Sequence, residues 1–206
     1  MKIYSAQEFR TKAIANALPL AGAAPRQSSR AIDRCVTTDQ ALRLRRAAVL
    51  VPVVDRGASA TVLLTRRAEH LPNHAGQIAF PGGKIEPGDA SPVAAALREA
   101  HEEIGLSPDH VEPVGLLDAF ETGTGFHVVP VLSVVRISCR LTPNEREVCE
   151  IFEVPLDFLM TEDHHQRHRA VWRGAEREYY AIPYGDRFIW GATARILRDI
   201  YERFYR

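Results

Sequence analysis

"GGKIEPGDASPVAAALREAHEEIGL", residues 82–106, decides the reading of this chain. Its middle spells one helix. Ser91 offers a hydroxyl N-cap, and Pro92 takes the first helical position, where a missing N–H costs nothing. An alanine-rich run continues to about Ile104, and Gly105 supplies the stop. At about 100° per residue, Glu99, Glu102 and Glu103 fall within an arc of roughly 100° and share one face. Like charges at these spacings destabilise a helix by about 0.2–0.5 kcal/mol per pair. Glu102 and Glu103 also sit at the negative end of the helix dipole. Two local rules are broken at one place, the mark of a functional site. The plainer alternative is a solvated acidic face neutralised by Arg98. The Gly82–Gly83 turn upstream favours the first reading, because it lets backbone approach closely whatever the carboxylates hold. Three carboxylates on a rigid helix are hard oxygen ligands suited to Mg²⁺ or Mn²⁺.

Outward from the helix the chain alternates strands and loops. "RRAAVLVPVV" (45–54) and "TVLLTRR" (61–67) read as two strands joined at "DRGASA", a hairpin buried on at least one side. Residues 68–89 are mostly loop, with a short strand near Gln77–Phe80. "VEPVGLLDAF", "HVVPVLSVVRI" and "EVCEIFEVPL" are further strands. Residues 157–169 read as a short helix and a polar loop, and "AVWRG" with "EYYAIPY" as a last hairpin. In "IWGATARILRDIYERFYR", Ile196, Ile200 and Phe204 recur at helical spacing, with Leu197 and Tyr201 beside them. Trp172 and Trp190 are expected in the core or an interface. The order fits a mixed α/β sandwich with helices on both faces. Residues 1–40 read as an N-terminal extension with a short helix near Ala6–Ala17 and a loop at 22–30. Residues 41–206 form the domain.

Composition excludes several classes. Lys+Arg and Asp+Glu are equal at 26 each, so no global positive field gathers nucleic acid. The three cysteines are widely spaced, without a CxxC, which argues against a disulfide framework and for a reducing interior. No apolar run reaches the ~18–20 residues that span a bilayer. "AIANALPLAGAA" (13–24) is too weakly apolar, and interrupted by Pro19, to serve as a leader. The expectation is a cytoplasmic protein with a small-molecule substrate and no nucleic-acid or membrane partner, with a homodimer left open.

The stretch 83–106 closely resembles the Nudix box, G-x5-E-x7-R-E-U-x-E-E-x-G-U with U apolar. Gly83 opens it, and Arg98, Glu99, Ala100, Glu102, Glu103, Gly105 and Leu106 complete it. Asp89 stands where the family has Glu, and eight residues rather than seven separate it from Arg98. The resemblance implies a Nudix-type α/β/α sandwich, with a mixed β-sheet between helices, and hydrolysis of a nucleoside diphosphate linked to another group. It makes Glu99, Glu102, Glu103 and the Gly82 carbonyl metal ligands for Mg²⁺ or Mn²⁺. It gives Arg98 the task of orienting the glutamates with Asp89. The catalytic base is either a box glutamate or a later acid, of which Glu147 fits best, with Glu145 and Glu150 behind it.

"LLTRRAEHLPNHAGQIAFPGG" (63–83) resembles the signature preceding the box in coenzyme A pyrophosphatases. Leu63, Leu64, Thr65, Arg67, Ala68, Gly76 and Phe80–Gly83 fit, whereas Pro72 falls where the pattern has Arg. Arg66, Arg67, His70 and His74 read as a basic patch near the metal. Arg66, Arg67 and His74, with Gly76 and Phe80, form the expected substrate-binding set. The resemblance implies coenzyme A as substrate, cleaved to 3′,5′-ADP and 4′-phosphopantetheine. ADP-ribose, dinucleotides or nucleoside triphosphates are the alternative. A binding module without catalysis comes last, since a pure binder has no use for the repelling glutamates.

Overall fold

In the computed structural model, which describes residues 4–20, 44–136, 140–172 and 175–206, the first element is helix α1 (Ala6–Asn16). Strands β1 (Arg45–Arg56), β2 (Ser59–Arg67), β3 (Ile78–Ala79) and β4 (Gly82–Lys84) follow, then helix α2 (Pro92–Ile104). Strands β5 (Val111–Leu116), β6 (Phe120–Glu121), β7 (Phe126–Val135) and β8 (Val148–Pro155) lead to the short helix α3 (Leu156–Leu159). The chain ends in β9 (Gln166–Trp172), β10 (Ala175–Tyr184), β11 (Arg187–Trp190) and α4 (Gly191–Phe204).

The hairpin expected between the first two strands forms, with Val53 opposite Val62 and Arg56 opposite Ser59. Strand β1 also runs parallel to β7, from Arg45↔Phe126 to Val54↔Val135, whereas the other pairings are antiparallel. The result is one mixed sheet in the order β3-β2-β1-β7-β5, with β4 on β1, β6 on β7 and β8 on β2. Beyond the hairpin β1 and β2 part. Strand β3 stays with β2 through Thr65↔Ala79, while β4 joins β1 through Val49↔Gly82. The segment between Arg67 and Gly83 is thereby wedged into the opening.

Side chains alternate across a strand, so each strand feeds two faces. On one face Ala48, Leu50, Val54 and Leu63 pack under Ala95, Ala96, Ala100 and Ile104 of α2. The alanines let the helix backbone lie close to the sheet. On the other face Val51, Val53, Val62, Leu64 and Leu132 meet Phe9 of α1 and Ile196, Leu197, Ile200 and Phe204 of α4. This is the expected α/β/α sandwich. The helix expected near residues 6–17 is docked, not free. Ser5 caps it by accepting from the Glu8 N–H at 3.1 Å, and Phe9 meets Phe204 edge-on at 6.1 Å. The loop expected at 22–30 lies outside the described residues.

One expectation needs correction. Residues 166–169 belong to β9, not to a polar loop. "QRHRAVW" has no apolar alternation to announce a strand, and pairing with β10 (His168↔Tyr179) is what sets it. Trp190, expected in the core or an interface, is 37% exposed, which leaves the second of the two. The Trp172 side chain, Cys35 and Cys139 lie outside the described residues, and Cys149 is free and exposed. Among the described residues no helix is long and apolar enough to cross a membrane.

Candidate active site

Helix α2 is built as its sequence promises. Ser91 Oγ accepts from the Ala94 N–H at 3.1 Å, and Gly105 turns left-handed with φ +68°. Arg98 then ties the helix to the preceding loop. Its Nε and Nη2 grip the two Asp89 oxygens at 3.1 Å each, and Nη2 donates to the Lys84 carbonyl at 3.0 Å. The same guanidinium reaches Glu99 at 3.1 Å and Glu102 at 3.0 Å. Asp89, held by Arg98 and by the Glu86 N–H, is kept below the usual carboxylate range. The additional residue in the box is absorbed without losing this clamp.

Glu103 differs from its neighbours. It is 3% exposed, and its Oε2 accepts from the Gly82 N–H at 3.1 Å. Its ion pair is a long one, to Arg67 Nη1 at 3.9 Å. Burial pushes its carboxyl up to about 8, with Glu99 and Glu147 adding to the shift and the Gly82 N–H and Arg67 opposing it. Burial also raises Glu99, against the pull of Arg98 and with the push of Glu102 and Glu147. The two glycines are needed for this closeness. A Cβ on Gly83 would fall 2.5 Å from the Glu99 carboxylate, and one on Gly82 would fall 2.4 Å from the Ala48 carbonyl.

Glu147 arrives from a distant loop. The Asn144 N–H donates to the Glu103 carbonyl at 2.8 Å, and the Glu147 N–H to the Asn144 carbonyl at 2.8 Å. The Glu147 carbonyl accepts from the Ala68 N–H at 2.9 Å, which fixes this turn between α2 and the end of β2. The carboxylates of Glu99 and Glu103 both feel its charge. Glu150 faces elsewhere. Paired across from Arg66, it is held by Arg66 at 3.7 Å and closely by Arg187, on the side of the sheet away from α2.

The expected substrate-binding set is therefore divided. Arg67 reaches Glu103, and Arg66, one residue earlier, points to the opposite face. His74 lies in the exposed loop with φ +59°, its Nδ1 2.8 Å from Gln77 Oε1. Gly76 has φ +66°, and a Cβ there would strike Glu69 at 2.6 Å. Phe80 is 3% exposed and packs in the apolar core, which gives it a structural place where a ligand contact was expected. Arg187 escaped sequence reasoning altogether. It meets Glu150 from 37 residues away, and no local pattern signals that.

The donor set fits a divalent cation. The carboxylates of Glu99, Glu102 and Glu103 are hard oxygen donors, and Glu103 is a buried acid with little cationic compensation. Among the described residues no three acidic, imidazole or thiolate side chains close into a ready cage.

The NUDIX domain family matches residues 44–174. An uncharacterised Nudix hydrolase, NudL, from Yersinia pestis is 40% identical over 159 residues, covering 77% of this chain and 79% of its own. Among solved structures, DR0079 of Deinococcus radiodurans superposes with a TM-score of 0.51 at 15% identity, over 93% of this chain and 98% of that one. A MutT/nudix family protein of Enterococcus faecalis gives a TM-score of 0.50 at 19% identity, over 78% and 61%. At those identities the two structures speak for the fold alone.

Proposed function

The chain belongs to the Nudix family and is a hydrolase acting on pyrophosphate bonds, and from that premise we propose that its substrate is coenzyme A or a derivative of it. The products are 3′,5′-ADP and 4′-phosphopantetheine. One observation carries the reading. The segment that resembles the coenzyme A signature brings Arg67 to Glu103 at 3.9 Å, which supports a substrate held between that strand and the glutamate helix.

In this reading Glu99, Glu102, Glu103 and the Gly82 carbonyl hold Mg²⁺ or Mn²⁺. When bound, the ion supplies charge neutralisation and polarises the phosphorus–oxygen bonds. Arg98 positions Glu99 and Glu102 and keeps Asp89 in place. Glu147 accepts the proton of the attacking water at a carboxylate oxygen. The water oxygen bonds to one phosphorus, the bridging P–O bond breaks, and the departing phosphate leaves with the bridging oxygen. Arg67 offers its guanidinium to the diphosphate. Positioning and charge stabilisation supply most of the acceleration. The reading puts the reaction in the cytoplasm, without nucleic acid or membrane, and is compatible with a homodimer.

Pro72, standing where the signature has Arg, favours a second reading with ADP-ribose, a dinucleotide or a nucleoside triphosphate as substrate. Product analysis decides between them. Coenzyme A, ADP-ribose, NADH and dNTPs are incubated with the protein and Mg²⁺ or Mn²⁺. Coenzyme A is expected to be cleaved fastest. Cleavage of ADP-ribose with coenzyme A untouched overturns the first reading.

A further inference from the structure

In the loop between β2 and β3, His74 is the one non-glycine residue with a left-handed backbone among the described residues, φ +59°. Glycine takes that conformation freely. A histidine there is uncommon and strained, and such strain persists where the surroundings enforce it, above all at functional sites. The ring gives the reason for keeping histidine. Its Nδ1 lies 2.8 Å from Gln77 Oε1, an acceptor, so the ring nitrogen donates. The Gln77 N–H donates back to the His74 carbonyl at 3.2 Å. That bond closes a four-residue turn, with Gly76, φ +66°, at its third position.

The turn acts on one neighbour. The Arg67 N–H donates to the Gln77 carbonyl at 3.0 Å, and the Gly76 N–H donates to the Arg67 carbonyl at 3.2 Å. Both main-chain groups of Arg67 are thus held by this turn. On the other edge of β2 the ladder to β8 is interrupted. It passes from Arg66↔Glu150 to Arg67↔Val148 and leaves Cys149 over, its Sγ 3.5 Å from the Arg67 carbonyl. The Arg67 side chain has little of its own to fix it. Its Nε has no hydrogen-bond partner among the described residues, and the ion pair to Glu103 is 3.9 Å long. The direction of this guanidinium therefore depends on the backbone that carries it. We propose that His74 is a positioning residue, which through its ring bond to Gln77 holds the turn that aims Arg67 at the substrate's diphosphate. The inference rests on the reading above that Arg67 serves that diphosphate, and it gives His74 a supporting place where a ligand contact was expected.

A double-mutant cycle tests this, because the effects of residues that act through one another do not add. The full chain is assayed with Mg²⁺ on whichever of coenzyme A, ADP-ribose, NADH and dNTPs it cleaves fastest. His74→Gly keeps the left-handed backbone without strain and removes the ring. It is expected to lower kcat/KM about tenfold, the order of loss that a misplaced group brings, with a melting temperature equal to or above that of the unaltered protein. A merely structural histidine gives the reverse, a lower melting temperature with kcat/KM little changed. His74→Asn tolerates the left-handed region and sets an amide nitrogen where Nδ1 lay, so it is expected to stay within about threefold of the unaltered protein. Gln77→Met removes the acceptor alone. It is expected to match the glycine variant, and it serves if that variant misfolds. Arg67→Gln is expected to cost about tenfold or more by itself, and adding His74→Gly to it less than about twofold further. Losses that multiply, an asparagine variant as poor as the glycine one, or full activity of both His74→Gly and Gln77→Met overturn the inference. Unchanged kcat/KM in Arg67→Gln overturns the assignment of Arg67 to the diphosphate, and the inference with it. A loss in Arg67→Gln with an indifferent His74→Gly overturns the inference alone.

Discussion

Arg66 and Arg67 are adjacent in β2 and look interchangeable on paper, yet they serve opposite sides of the sheet. Arg66 joins Arg187 on Glu150, and Arg187 lies over the Phe152 ring at 4.5 Å. On that side acids and cations are closely matched: Arg203 spans Asp118 at 2.6 Å and Asp199 at 3.0 Å. Arg67 faces Glu103, which also feels the charges of Glu99 and Glu147, so acids outnumber the cations around it. A folded chain gains nothing from crowding buried acids without cations. On the reading proposed above, the unbalanced face is the one that would hold the ion and the substrate's diphosphate.

Substitutions can break this contrast. Glu103→Gln is expected to lower kcat by about 10²–10³-fold, the cost of removing a major electrostatic group, while thermal melts show equal or higher stability. Near-normal turnover would end the assignment of Glu103 as a ligand. Next in size is the pair Glu147→Gln and Glu150→Gln. The first is expected to cost about 10²-fold in kcat, within the range for a general base, and the second less than about threefold. Equal losses in steady-state assays would erase the distinction between the two sides.

Smaller effects sharpen it. Gly83→Ala puts a methyl against the Glu99 carboxylate, the mobile end of a side chain, so the fold adjusts but the carboxylate moves. About a tenfold loss of kcat is expected, since misplacement of about 1 Å can cost up to 10²-fold. Gly88→Ala meets nothing within 4 Å and is the matched control. Stability of both variants is expected to stay within about 0.5 kcal/mol in urea titrations.

The smallest effect concerns His165 on the balanced side. Its Nε2 lies 2.6 Å from the Leu159 carbonyl, and Nδ1 has no hydrogen-bond partner among the described residues. Burial holds its pKa below the ordinary value; Arg198 and His164 also lower it, and the Leu159 bond and Glu162 oppose them. The unfolded chain therefore binds the proton more readily. Stability is full above about pH 6.5 and falls as the pH drops toward the folded-state value. His165→Gln is expected to flatten that slope in melts between about pH 5 and 8. An unchanged slope would assign it to other groups.

What was legible in the chain was local or periodic. Ser91, Pro92 and Gly105 fix α2 through bonds within a few residues of themselves, so their meaning survives without a fold. The 3.6-residue recurrence of Ile196, Ile200 and Phe204 gives α4 for the same reason. Strand β9 was hidden because its partner, not its composition, makes it a strand. That Phe80 is buried in the core was not legible, because burial depends on what packs above it. Arg66 and Arg67 were read as one patch, although the two-residue period of a strand already separates them.

The sequence by itself determined the family, the capped helix and the three glutamates on one of its faces, because each is written in neighbouring residues. The tertiary structure alone decided that Arg67 rather than Arg66 meets Glu103, and that Glu150 is held by Arg66 and Arg187 instead. The reason is physical. Helix faces follow from bonds between residues three or four apart, whereas charge balance is set by chain segments tens of residues apart, brought together when the sheet closes.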